Sequence, residues 1–134
     1  MKKIWCLASL MVFLTIGICA AEVPNLTGKW TGSWSGYDEG IGFSNSTKSY
    51  SINFNFVEQK DRIFAGNLTY KEENGTRIVK EFYGAIGLDN KTLYIAETKG
   101  YTQGTIISND KIELIHLEDG ERGSVAIDEL HRTK

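Results

Sequence analysis

The chain has 134 residues, with 15 basic and 17 acidic side chains and 41% hydrophobic residues. This length and composition fit one globular domain with its own core, and leave no room for a second. A mildly acidic balance without a basic run argues against nucleic acid or an anionic lipid surface as partner.

The first 21 residues stand apart from the rest. Lys2 and Lys3 precede an apolar run from Ile4 to Ile18, and Cys19-Ala20-Ala21 supplies small residues at a cleavage position. This is the pattern of a secretory signal peptide, residues 1–21, removed after Ala21. The run of about fifteen residues is short of the roughly twenty that a spanning helix needs, so the membrane is expected to serve only for export. The signal carries two of the basic and none of the acidic residues, so the net charge of −2 becomes −4 in the domain 22–134. Both cysteines, Cys6 and Cys19, leave with it, which removes disulfides and thiolate ligands from the mature protein.

From Glu22 onward the hydrophobic pattern has period two. Strands are predicted at 27–36, 48–58, 63–71, 76–87, 92–98, 101–108, 111–117 and 124–131. In the second, Tyr50, Ile52, Phe54 and Phe56 share one face and Ser51, Asn53 and Asn55 the other. In the third, Phe64, Leu68 and Tyr70 point inward and Asn67 and Thr69 outward. Turn residues separate the strands at Lys60-Asp61-Arg62, Glu73-Asn74-Gly75, Asp89-Asn90-Lys91, Asn109-Asp110 and Glu118-Asp119-Gly120. The Asn-Gly pair suits a two-residue primed turn with positive φ at both positions. Val125 to Leu130 fits a short helix as well as a strand; a strand would pair with the first and remove the open edge. Eight strands joined by tight turns form an all-β, up-and-down antiparallel meander. Gly66, Gly84, Gly87 and Gly104 inside the strand patterns favour closure into a barrel, since closing a sheet needs bends. A two-sheet β-sandwich is the alternative.

Leu26-Thr27-Gly28-Lys29-Trp30 resembles the first strand of the calycins, the lipocalins and avidins, which share Gly-x-Trp. The resemblance implies an eight-stranded barrel plugged at one end by Trp30, beside Gly28, with Arg132 from the last strand packed across the indole. Phe64-Ala-Gly-Asn-Leu-Thr69 is loosely similar to an avidin strand. The positions that would carry avidin's polar ligand contacts are Gly32 and Gly36, and no Trp follows Trp34, so biotin is not implied. The mature chain as a whole also resembles small exported archaeal proteins without an assigned activity.

Five N-x-T sequons lie at Asn25, Asn45, Asn67, Asn74 and Asn90, where composition alone would give about one. They make the domain a candidate glycoprotein. Catalytic material is thin. The histidines are His116, in phase with Ile112 and Leu114, and His131, and no nucleophile motif accompanies them. The acidic pairs Asp38-Glu39, Glu72-Glu73 and Glu118-Asp119 sit in loops without metal-ligand spacing. No enzyme, metal or cofactor is expected. Aromatic residues are abundant, and Trp34, Tyr50, Phe54 and Tyr83 are the candidate lining of one barrel mouth for a small apolar or aromatic ligand. The segment from Tyr37 to Thr47 would cover that mouth as a loop. The expected function is therefore non-catalytic binding by a secreted barrel. The alternative is a glycosylated extracellular or cell-envelope structural protein with a solid core.

Overall fold

The computed structural model describes residues 22–46, 51–72 and 74–134. The expected signal peptide, together with Thr47 and Tyr50, lies outside the described residues. Nine strands follow one another without a helix among the described residues: β1 (Gly28–Asp38), β2 (Gly42–Asn45), β3 (Ile52–Lys60), β4 (Ile63–Lys71), β5 (Arg77–Ile86), β6 (Thr92–Glu97), β7 (Tyr101–Ser108), β8 (Lys111–Glu118) and β9 (Ser124–Arg132). Every pairing is antiparallel between sequence neighbours, except that β3 also pairs with β1 and β9 returns to β1 along nine residue pairs, from Trp30–Arg132 to Asp38–Ser124. Eight strands thus close into a barrel, and β2 is an extra one. The segment 125–131 is strand, as closure required.

The extra strand arises where the expected loop was placed. Asp38 ends β1, a turn follows at 39–41, and β2 folds back on the second half of β1, with Tyr37 opposite Phe43 and Ser35 opposite Asn45. Further down the same edge, β3 pairs with the first half of β1, from Gly32–Ile52 to Gly28–Phe56. β2 and β3 therefore take successive halves of the same edge of β1. β4 pairs with β3 but not with β2, so among the described residues no strand pairs with the other edge of β2.

Alternation sorts the side chains as period two demands. The lower half of the barrel is packed solid by Trp30, Phe54, Phe56, Phe64 and Phe82, all buried, with Leu93, Ile112, Leu114 and Leu130 around them. Phe56 is the hub, with ring centroids 5.1 Å from Phe82 and 5.2 Å from Phe64, both edge-on. Glycine makes room for these rings. Gly66 faces Phe82 and Gly84 faces Phe64 across β4 and β5, and a Cβ on either glycine would stand 2.5 Å or less from the opposing ring. Each ring covers the other strand's glycine, an arrangement that supports sharp bending. Gly87, expected inside a strand, instead lies in the turn after β5, where its carbonyl accepts from Asn90 N–H.

The lower end is sealed by residues 22–27. Leu26 N–H donates to Gln59 Oε1 (2.8 Å), Gln59 Nε2 donates to Pro24 O (2.8 Å), and Trp30 Nε1 donates to Leu26 O (2.9 Å). The Asn74-Gly75 turn differs from expectation. Only Gly75 takes positive φ (84°), and Asn74 Oδ1 accepts from Thr76 N–H (2.7 Å), so a five-residue connection replaces the primed turn.

Candidate functional site

Above the aromatic core the barrel is hollow. A cavity of about 580 Å³ opens to solvent beside β2. One wall is apolar, made by Trp34 of β1, Ile52 and Phe54 of β3, and Leu68 and Tyr70 of β4. The opposite wall is titratable, made by Glu97 of β6, His116 and Glu118 of β8, and Asp128 of β9, with Lys80 of β5 between the two. Ile41 and Ser44 border the opening, so the segment after Tyr37 does flank the mouth, but as a hairpin.

The polar wall follows from the inward phase of three strands. β6 turns Leu93, Ile95 and then Glu97 inward, and β8 turns Ile112, Leu114 and then His116 inward. β9 turns Leu130 and then Asp128 inward. In each strand the apolar residue lies in the solid half and the titratable one enters the cavity. Asp128 sits directly opposite Trp34 in the ladder between β9 and β1.

A hydrogen-bond relay orders part of this wall. Thr102 of β7, opposite His116, donates its hydroxyl proton to Glu97 Oε1 (2.7 Å) and lies 2.9 Å from His116 Nδ1. A hydroxyl has one proton, so with that proton on Glu97 the imidazole Nδ1 carries a hydrogen and donates to Thr102. Glu97 Oε1 is also 3.4 Å from Nδ1, and Glu118 Oε2 is 4.0 Å from Nε2. Burial pushes the Glu97 carboxyl up, but hydrogen bonds from His116 and Thr102 outweigh it and hold the group below its ordinary value. The same bond to Glu97 raises the His116 imidazole, against the opposing effect of burial.

Asp128 is different. Its residue is 4% exposed, and its carboxyl makes no hydrogen bond or ion pair among the described residues. Burial pushes it from 3.8 up to about 7; the neighbouring His116 lowers it and Glu97 raises it further.

Among the residues predicted from sequence, Trp34 and Phe54 line the cavity, Phe54 from its buried floor. Tyr83 does not. It stands on the outer face of β5, 58% exposed, and its hydroxyl donates to Glu81 Oε2 (2.9 Å). Its neighbour Phe82 takes the inward phase, so Tyr83 cannot share it. Tyr94 and Tyr101 are exposed as well. Arg132 lies over Trp30, its guanidinium carbon 4.3 Å from the ring centroid, and donates to Asn25 O and Thr27 O (both 2.6 Å) and to Asn109 O (3.1 Å). Gly28 has φ 117°, and a Cβ there would come 3.6 Å from the same guanidinium. His131 faces solvent. Of the sequon asparagines, Asn25, Asn45 and Asn74 are exposed and Asn67 and Asn90 are half-buried. Among the described residues no three acidic, His or Cys side chains are grouped to hold a metal ion.

Fold and site together define a small antiparallel β-barrel with a solid lower half and a solvent-open upper cavity. The chain is similar to a solved structure described as a redesigned β-barrel, with a TM-score of 0.62 and 16% identity over 81% of this chain and 92% of the other. At that identity the likeness speaks to the fold alone. No protein-family model matches the chain, and no curated protein matches it.

Proposed function

We propose that this protein is an exported barrel of the calycin type that binds one small molecule without transforming it. The observation that carries this reading is the cavity of about 580 Å³, divided between an aromatic wall and a polar one. Its volume falls within the few hundred to a thousand Å³ of small-molecule sites, and mostly apolar walls with a few placed polar groups are the usual lining. The Trp30 plug with Arg132 across it supports the calycin assignment. His116 Nδ1 is engaged by Thr102 and Glu97, and no nucleophile motif accompanies it in the sequence, which supports binding over catalysis. The barrel's solid lower half supplies rigidity and the upper half the site.

Native mass spectrometry of protein purified from its own host tests this reading, together with titration of intrinsic fluorescence by hydrophobic probes. A non-covalently bound small molecule, and a probe response lost in Trp34→Phe, are expected. A protein that carries nothing and whose fluorescence ignores every probe sinks the binding reading.

A glycosylated surface belongs to the same picture. Asn25 Oδ1 accepts from both the N–H (2.9 Å) and the hydroxyl (2.7 Å) of Thr27, and Asn74 Oδ1 accepts from Thr76 N–H. Both sequons thus sit in exposed local turns, accessible to a modifying enzyme. With the sequence pattern of residues 1–21, this supports an extracytoplasmic location.

A further inference from the structure

We propose that the ligand is a small organic amine, its ammonium group held by Asp128 and its apolar body against Trp34, Phe54 and Tyr70. This rests on the reading of the barrel as a binding protein and names the class of molecule it takes. The central observation is that Asp128 lines the cavity, is almost wholly buried, and has no hydrogen-bond partner among the described residues. Its carboxyl oxygens face the open cavity and not packed protein, so a donor for them comes from outside the chain, as water or as a guest.

The protein's own donors are engaged elsewhere. His116 is turned through Nδ1 to Thr102 and Glu97. Lys80 extends over the Tyr70 ring, 5.5 Å from its centroid, and makes no ion pair among the described residues. The charged groups facing Asp128 are Glu97 from β6, His116 and Glu118 from β8, and Lys80 from β5. At pH 8, with Asp128 ionised, the four carboxylates of Glu72, Glu97, Glu118 and Asp128 in the lining outnumber the two ammonium groups of Lys71 and Lys80. A cationic guest is favoured and an anionic one opposed. A metal ion is a poor fit, because no three ligands converge among the described residues. An N–H donor needs only one carboxylate, and Asp128 has Trp34 directly across the ladder, where an indole face also attracts a cation.

The test is isothermal titration at pH 8 with three ligands of similar size: 2-phenylethylamine, 2-phenylethanol and 3-phenylpropionate. The amine is expected to bind at least about tenfold more tightly than the alcohol, as for a hydrogen bond to a charged partner, and the acid most weakly. In Asp128→Asn the amine should lose about tenfold while the alcohol stays within about twofold, which also reports an intact cavity. Equal binding of amine and alcohol, or an amine unaffected by the substitution, overturns the amine proposal and leaves the binding barrel standing. Failure of all three ligands and of hydrophobic probes overturns both.

Discussion

The ligand-free barrel should be less stable at pH 8 than at pH 5, and Asp128→Asn should remove most of that difference. In the unfolded chain the Asp128 carboxyl titrates near 3.8, and in the barrel burial moves it to about 7. Below 3.8 both states hold the proton and the group contributes nothing to the pH dependence. Between 3.8 and about 7 the unfolded chain releases the proton while the barrel keeps it, so stability falls as pH rises. Each pH unit in that window costs about 1.4 kcal/mol, and the full interval would cost ~4 kcal/mol. Only the part of the window above pH 5, about two units, enters a comparison of pH 5 with pH 8, and water reaches the cavity through its mouth, so ~1.5–3 kcal/mol is expected.

Two neighbours shape the rest of the curve. His116 is raised by its bond to Glu97, so its contribution is complete below 6.5 and is lost as pH rises through its folded value. That adds to the alkaline loss. Glu97 is held down by its partners, so its contribution is present above 4.5 and is lost on the acid side as pH falls through its folded value. The stability maximum is therefore expected in mild acid. Urea unfolding followed by tryptophan fluorescence at pH 5 and pH 8 measures the difference. Asp128→Asn should already exceed the parent modestly at pH 5, where the unfolded chain has released the proton that the barrel keeps, and exceed it by more at pH 8. A parent equally stable at both pH values would refute the reasoning, as would a variant that declines as steeply as the parent.

Arg132→Ala removes a guanidinium from the Trp30 face and from three backbone carbonyls, and should cost about 2–4 kcal/mol in urea unfolding. Arg132→Lys should recover less than half, because one ammonium cannot span those carbonyls; a loss below about 1 kcal/mol for the alanine variant would mean the seal is not held this way. Gly66→Ala sets a methyl 2.2 Å from Asn55 O and 2.5 Å from the Phe82 ring, so a drop of about 1–3 kcal/mol or failure to fold is expected, and an unchanged thermal midpoint would contradict the close packing. Glycopeptide mass spectrometry of protein from its host should find occupancy at Asn25 and Asn74 ahead of Asn67, which is half-buried on β4; modification at Asn67 alone would count against the exposure argument.

The barrel was legible because a strand buried on one face writes its phase into the sequence. Tyr50 to Phe56 and Phe64 to Tyr70 alternate cleanly, and the glycines that admit Phe64 and Phe82 interrupt strands where a bend is needed. β2 was not legible, for the same reason in reverse. Gly42-Phe43-Ser44-Asn45 buries neither face in the core, its single aromatic is exposed, and the strand exists only because the upper half of β1 offers an unpaired edge. Aromatic richness misled at Tyr83, since counting rings ignores phase, and Phe82 beside it had already taken the inward position.

The titratable wall was written in phase, one residue at a time. Glu97 extends the inward series of Leu93 and Ile95, His116 that of Ile112 and Leu114, and Asp128 stands between Ala126 and Leu130. A charged residue in an inward position conflicts with packing unless the barrel is hollow there, and such conflicts gather at functional sites. Read singly, each has a structural excuse near a strand end. What no single strand contains is that all three line one cavity, because that depends on the registers of β6 through β9 and on the closure of β9 onto β1. The closure also brings Trp34 opposite Asp128, which sets an inward acid beside an aromatic side chain in one cavity. Sequence phase thus identifies which positions violate a packed core, and strand register decides whether the violations form a cavity with chemistry or remain separate.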